Sequence, residues 1–271
     1  MPYFKKLIFT SLFILLPFVL SSGQNIPWPD PVANHVVPYQ SFEITHGPLL
    51  GGVTSDSVKV WIRTEKEMNF EVLVSETLPF DGAASTPGKT SAAIDFTGWV
   101  TVDGLKANTH YYYAVTLRGE IVDTRLAVDQ PWPSFRTLPD TNSFSHEYNP
   151  DGKFNFSFSI GACQRQRSPR DTYGVYADPP VFNTLWEEHR DRLSFHIVNG
   201  DYTYEEVLNG EKSGLENNYK LYLERSPALN RFFRDVPMFT MFNDHEMTHN
   251  IDGSGEVGLG DGNYLVRDPA A

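Results

Sequence analysis

Three short apolar runs each end in side chains that bind metal ions. Phe154 to Ile160 leads into Gly161-Ala162-Cys163-Gln164. Leu193 to Val198 leads into Asn199-Gly200-Asp201-Tyr202-Thr203-Tyr204-Glu205, and Met238 to Phe242 leads into Asn243-Asp244-His245-Glu246. Asp201 follows Cys163 by 38 residues, and Asp244 follows Asp201 by 43. Thiolate, carboxylate, phenolate and imidazole are the donors that a transition-metal site needs. Asp201 stands after a glycine, which lets the backbone pass close to an ion, and its two oxygens could bridge two cations. Tyr204 would reach the same ion if the loop curls into a helical turn. Asp244 would serve the second ion. His245, beside it, could donate a proton to a leaving alkoxide or bond a phosphoryl oxygen. Two cations about 3.5–4 Å apart would lower the pKa of a shared water towards ~7 and clamp phosphoryl oxygens.

The elements that must position these residues follow from the pattern between the runs. A helix is predicted from Pro180 to Arg190, with Val181, Leu185 and Trp186 on one face. A second is predicted over 215–233, where Leu215, Tyr219, Tyr222 and Leu223 recur at helical spacing and Pro227 kinks or divides it. The order is then strand, helix, strand, helix, strand. Such strands are parallel, and ligands bind outside their carboxyl ends. Each motif has a bland reading too. Gly-Asp after a strand is common in turns, and Asn-Asp-His-Glu could be a helix start with Asn or Asp as its cap. Cys163 could be a small buried hydrophobe. It is the chain's one cysteine, so no intramolecular disulfide forms. Their joint placement at three successive strand ends favours the metal site. Arg165, Arg167 and Arg170 follow the cysteine closely and could grip a substrate phosphate by bidentate bonds, or form a solvated loop.

The first residues read as a secretory signal. Lys5 and Lys6 precede an apolar stretch from Leu7 to Leu20, and the small residues Ser21-Ser22-Gly23 follow. That stretch is short of the roughly 20 residues that span a bilayer. The expected location is therefore secreted, periplasmic or cell-surface, with no transmembrane segment in the mature chain. Removing residues 1–23 takes the net charge from −12 to −14. A chain this acidic is a poor ligand for nucleic acid. An anionic substrate would need local cations, and bound metal ions are the obvious source.

Residues 24–40 hold four prolines and form an extended lead-in. Residues 41–138 then read as all-β. Val58, Val60 and Ile62 alternate with Lys59 and Trp61, Phe70 to Val74 alternates again, and Tyr111 to Leu117 is aromatic and β-branched. Turns are expected at Asp81-Gly82 and at Thr86-Pro87-Gly88. Short strands separated by turns over about 100 residues suggest a β-sandwich. Residues 139–152 read as a linker, and 153–271 as the second domain.

Two resemblances sharpen this reading. Gly104-Leu105-Lys106-Ala107-Asn108-Thr109-His110-Tyr111 resembles the turn before the penultimate strand of fibronectin type III domains, and Phe135-Arg136-Thr137-Leu138-Pro139 resembles their last strand and exit. That implies a fibronectin-type-III-like sandwich whose tyrosine hydroxyl bonds back across the turn. Gly-Ala-Cys-Gln, Gly-Asp-Tyr-Thr-Tyr-Glu and Asn-Asp-His-Glu resemble the motifs of PhoD-type alkaline phosphatases, a calcineurin-like metallophosphoesterase branch. The resemblance covers residues 40–271. It implies a secreted enzyme that hydrolyses phosphate mono- or diesters by metal-hydroxide attack, with a sandwich ahead of an α/β metallophosphatase domain of αββα type. By resemblance, Cys163, Asp201 and Tyr204 would bind Fe3+. Asp201 and Asp244, assisted by Asn243, would bind Ca2+, and His245 would act at the phosphoryl group. Asn243 stands where many members have a second aspartate. The family's later histidine and aspartate ligands have no counterpart after Glu246, so the catalytic domain is expected to be incomplete here, lacking its C-terminal half and inactive as this fragment. A three-strand half-domain would leave an apolar sheet face uncovered. Two rivals remain. Purple acid phosphatases also pair such a sandwich with a metallophosphatase, although Cys163 and the Asp201–Tyr204 spacing fit PhoD better. A non-catalytic adhesion module built on the sandwich is the other.

Overall fold

The computed structural model describes residues 43–125, 127–163, 180–202, 216, 219–220, 222–223, 227–243 and 246. Its first part is a β-sandwich. Strands β1 (Ile44–Gly51), β2 (Val58–Thr64) and β5 (Thr97–Val102) form one antiparallel layer. The other holds β3 (Asn69–Ser75), β4 (Ala84–Lys89), β6 (His110–Leu117) and β7 (Glu120–Val122), with β8 (Ser134–Arg136) also on β6. The alternation seen in sequence is what fills it. Val58, Val60 and Ile62 of one layer meet Phe70, Val72, Val74, Tyr113 and Val115 of the other, all buried. The turn at Asp81-Gly82 is present.

One turn expectation is overturned. Thr86-Pro87-Gly88 is not a turn but lies inside β4, with Pro87 opposite Glu71 and Gly88 opposite Phe70. β4 ends its sheet, and an edge strand tolerates a proline that cannot donate to the ladder. Gly88 is needed for a different reason. A Cβ there would fall 2.4 Å from a Val100 methyl and 2.5 Å from the Phe70 ring, so the core of the sandwich has grown into its place.

The hydroxyl of Tyr111 accepts from the Lys106 amide at 2.9 Å, the back-bond expected of that segment, while its ring stacks on Phe135. Tyr111→Phe is expected to destabilise the protein by about 1–2 kcal/mol, because the Lys106 N–H loses its acceptor in a half-buried turn. The check is a lowered urea midpoint at unchanged slope; an unmoved midpoint would mean that water replaces the hydroxyl fully.

The second part alternates strands and helices: β9 (Ser157–Gly161), α1 (Pro180–His189), β10 (Leu193–Asn199), α2 (Pro227–Asp235) and β11 (Met238–Met241). The three strands are parallel and adjacent in the order β11-β10-β9. β9 opens at Ser157 rather than Phe154, because its ladder starts opposite Leu193. α1 ends one residue before the predicted Arg190. Pro227 is the first residue of α2, where a missing N–H costs nothing; Tyr219, Lys220, Tyr222 and Leu223 are helical ahead of it. Both helices cover one face, packing Phe182, Trp186, Leu229, Phe232 and Phe233 onto Val198 and Leu49. The opposite face of β9–β11 carries Phe158, Ile160 and Met241, 48%, 59% and 57% exposed.

The two parts are not separate sheets. β1 pairs in parallel with β11 through Gly51 and Met238, so a six-stranded sheet runs β5-β2-β1-β11-β10-β9. Side chains reinforce the join. Tyr113 Oη donates to the Arg234 carbonyl at 2.6 Å, and Arg234 donates to the Thr124 carbonyl. The Ser134 amide donates to Asp235 Oδ1 at 3.2 Å, and Trp186 Nε1 donates to Asp235 Oδ2. Lys220 and Arg63 converge on Asp95 at 2.9 and 3.1 Å. Burial works against the Asp95 charge, but those two cations hold its carboxyl below the usual range. Among the described residues no helix is long and apolar enough to cross a membrane.

Candidate metal centre

β9, β10 and β11 end side by side, because parallel neighbours in register stop together. Ile160 faces Ile197, Gly161 faces Val198, and Asn199 faces Met241. Cys163 leaves β9 by two residues, Asp201 leaves β10 by two, and Asn243 leaves β11 by two. Three of the residues singled out in the sequence therefore meet at one sheet edge. Cys163 Sγ donates to Asp201 Oδ2 at 3.4 Å, and Asn243 Nδ2 donates to Asp201 Oδ1 at 3.0 Å. The Cys163 amide lies 3.4 Å from the Gly200 carbonyl. Tyr204, Asp244 and His245 lie outside the described residues, as do Arg165, Arg167 and Arg170.

The backbone is bent to bring these groups together. Gly200 has φ +79°, and a Cβ on it would stand 2.6 Å from Asn243 Cβ. Only glycine lets the β10 exit pass so close to the β11 exit. Asp201 and Cys163 are themselves in the left-handed region, at φ 57° and 55°. That conformation costs an ordinary residue about 1–2 kcal/mol, and such costs concentrate where function requires them. Asp201 is 8% exposed, whereas Cys163 opens to solvent.

These residues fit a metal ion in one respect that can be checked. Ligands about 2.0–2.3 Å from one ion stand roughly 3–3.6 Å from each other, which is the Cys163–Asp201 spacing. Asp201 turns one oxygen to the thiol and the other to the Asn243 amide, as a carboxylate shared between two positions would. Among the described residues no group of three or more His, Cys, Asp or Glu assembles a complete site.

Two neighbours were not anticipated. Tyr202 points inward, stacked on Tyr219 at 5.7 Å with its hydroxyl buried, so burial raises its pKa and it anchors the loop from below. Glu246, 7% exposed, accepts from the Tyr202 amide at 2.6 Å and the Asn243 amide at 2.7 Å. It was part of the third motif, but a lone glutamate at a motif's end carries no sign of what it bonds. His196, on β10 five residues before Asp201, is a core residue. Its ring sits among Phe182, Phe232 and Phe233, Nδ1 pairs with Ser159 Oγ at 2.8 Å, and burial pushes its pKa down to about 4.

Residues 41–134, most of the sandwich, match the model of a domain of unknown function, DUF7800. No curated protein matches the chain. Among solved structures it is similar to PhoD, with TM-score 0.55 and 18% identity over 77% of this chain and 40% of that one. The sensor domain of the anti-sigma factor RsgI4 from Pseudobacteroides cellulosolvens overlays 36% of this chain and 94% of its own, at 17% identity and TM-score 0.27. A cyclomaltodextrinase overlays 73% of this chain and 40% of its own, at 12% identity and TM-score 0.27. The chain thus spans 40% of the length of the PhoD structure. A β-sandwich continuous with a helix-backed parallel sheet is a PhoD-like fold.

Proposed function

We propose that the chain carries part of the active site of a secreted, metal-dependent phosphoesterase of the PhoD type, which hydrolyses phosphate mono- or diesters. The observation that carries this reading is the Asp201 carboxylate. It is buried, held in a left-handed turn, and divided between Cys163 and Asn243 at the ends of three parallel strands. Cys163, Asp201 and Tyr204 would hold Fe3+. Asp201, Asn243 and Asp244 would hold Ca2+. When bound, the two ions supply a water ionised near neutral pH and positive charge for the phosphoryl oxygens. The remaining work falls to the chain. His245 would donate a proton to the leaving alkoxide, Arg165, Arg167 and Arg170 would hold the phosphate by charge-assisted bonds, and the buried loop bases would keep the ligands from drifting. The sandwich is read as fibronectin-type-III-like.

The activity belongs to the whole protein of which these elements form part. Expressed whole and loaded with iron and calcium, it is expected to release nitrophenol from p-nitrophenyl phosphate or its bis ester, and to lose that turnover on chelation. Stoichiometric metal without hydrolysis of either ester would overturn the phosphoesterase reading. The Gly51–Met238 pairing makes one layer of the sandwich half of the sheet that bears the site, which favours this reading over an adhesion module built on a free-standing sandwich.

A further inference from the structure

We infer that Glu246 is a positioning residue, which clamps the exits of β10 and β11 so that Asp201 and Asn243 face each other; this rests on the phosphoesterase reading. Its two oxygens accept from different loops, Oε1 from the Tyr202 amide at 2.6 Å and Oε2 from the Asn243 amide at 2.7 Å. The first bond grips the peptide that joins Asp201 to Tyr202. Asp201 has φ 57°, and a hydrogen bond to the very next amide fixes the orientation of the peptide leaving that left-handed residue. The second bond grips the amide of Asn243 itself, whose side chain reaches Asp201. The loops approach so closely at Gly200 that each must be held in one orientation to avoid the other.

Glu246 has the chemistry for this task and little freedom to do another. Both of its partners are donors, so both of its oxygens must accept, which a carboxylate does and an amide cannot. It is 7% exposed, both its oxygens are taken by backbone amides, and it lies close enough to Tyr219, the ring stacked on Tyr202, to help raise that phenol's pKa. It therefore supports residues that would touch the ions without touching them itself. Outer partners of this kind usually tune metal affinity about 10–100-fold.

Glu246→Gln keeps the volume but sets an NH2 group against a backbone N–H. The test uses the whole protein, metal-depleted and then titrated with calcium by calorimetry. Calcium affinity is expected to fall about 10–100-fold in the variant. Tyr111→Phe, in the sandwich, serves as the control for a general loss of stability and is expected to bind calcium as wild type does. A readout that needs no variant is hydrogen exchange of the Tyr202 and Asn243 amides in metal-free wild-type protein, where both are expected to be protected. Fast exchange of both amides, or wild-type calcium affinity in Glu246→Gln, overturns the inference and leaves the phosphoesterase reading intact. Wild-type protein that takes up no calcium overturns that reading, and this inference with it.

Discussion

Asp201→Asn is expected to remove metal and hydrolysis together, with turnover of the whole protein reduced at least 10³-fold, or about 4 kcal/mol in the barrier. The substitution isolates the charge. Asparagine adopts left-handed φ as readily as aspartate, so the bend at 57° survives. Its oxygen can still accept from Asn243, and its size is unchanged. What disappears is the anionic oxygen on the Cys163 side, and with it the means of serving two cations from one side chain. Asparagine keeps the volume and the bond from Asn243 at this buried position and gives up the bond on the Cys163 side, so stability of the metal-free protein is expected to fall by about 1 kcal/mol at most, the worth of one hydrogen bond. Metal content, turnover and the urea midpoint are the three measurements. A metal-free protein folded as before, with metal content and turnover both lost, matches the assignment. Full turnover in the variant would remove Asp201 from the site altogether.

The same residues show how far the chain could be read before its structure was known. Cys163, Asp201 and Asn243 were legible because each follows an apolar run of strand length, and parallel neighbours that stop together must put their exits side by side. The Tyr111 back-bond was legible because the segment from Gly104 to Tyr111 resembles a turn of fibronectin type III domains, and a bond across five residues needs nothing from the rest of the fold. Glu246 was not, because its bond to Tyr202 crosses 44 residues and depends on how two loops fold against each other. The pairing of Gly51 with Met238 was hidden for the same reason. Periodicity tells which face of a strand is apolar, but not which strand lies beside it. Pro87 misled in the opposite direction. Its local signal says turn, and only its place at a sheet edge permits a strand.

That hidden join leads to the second large effect. Asp235→Ala is expected to cost about 3–5 kcal/mol and to weaken both parts of the molecule in a single transition. Asp235 is the last residue of α2, and its carboxyl accepts from Trp186 Nε1 of α1 and from the Ser134 amide of the sandwich. Alanine would leave two buried donors unpaired, at about 1–3 kcal/mol each, in a region that the Tyr113–Arg234 bond also seals. The pH dependence separates this carboxyl from its amide counterpart. Burial raises the Asp235 pKa above its unfolded value, although Arg234 opposes the shift. Its contribution is then full below the unfolded pKa and is lost as pH rises through the raised one. Asp235→Asn has no proton to lose, so wild type loses ground to it as pH rises. Urea unfolding followed both by the nuclear magnetic resonance signal of the Trp186 indole N–H and by the far-ultraviolet signal of the strands should give coincident curves. Two separated transitions in Asp235→Ala, with the sandwich unmoved, would show instead that the shared sheet transmits no stability across Gly51 and Met238.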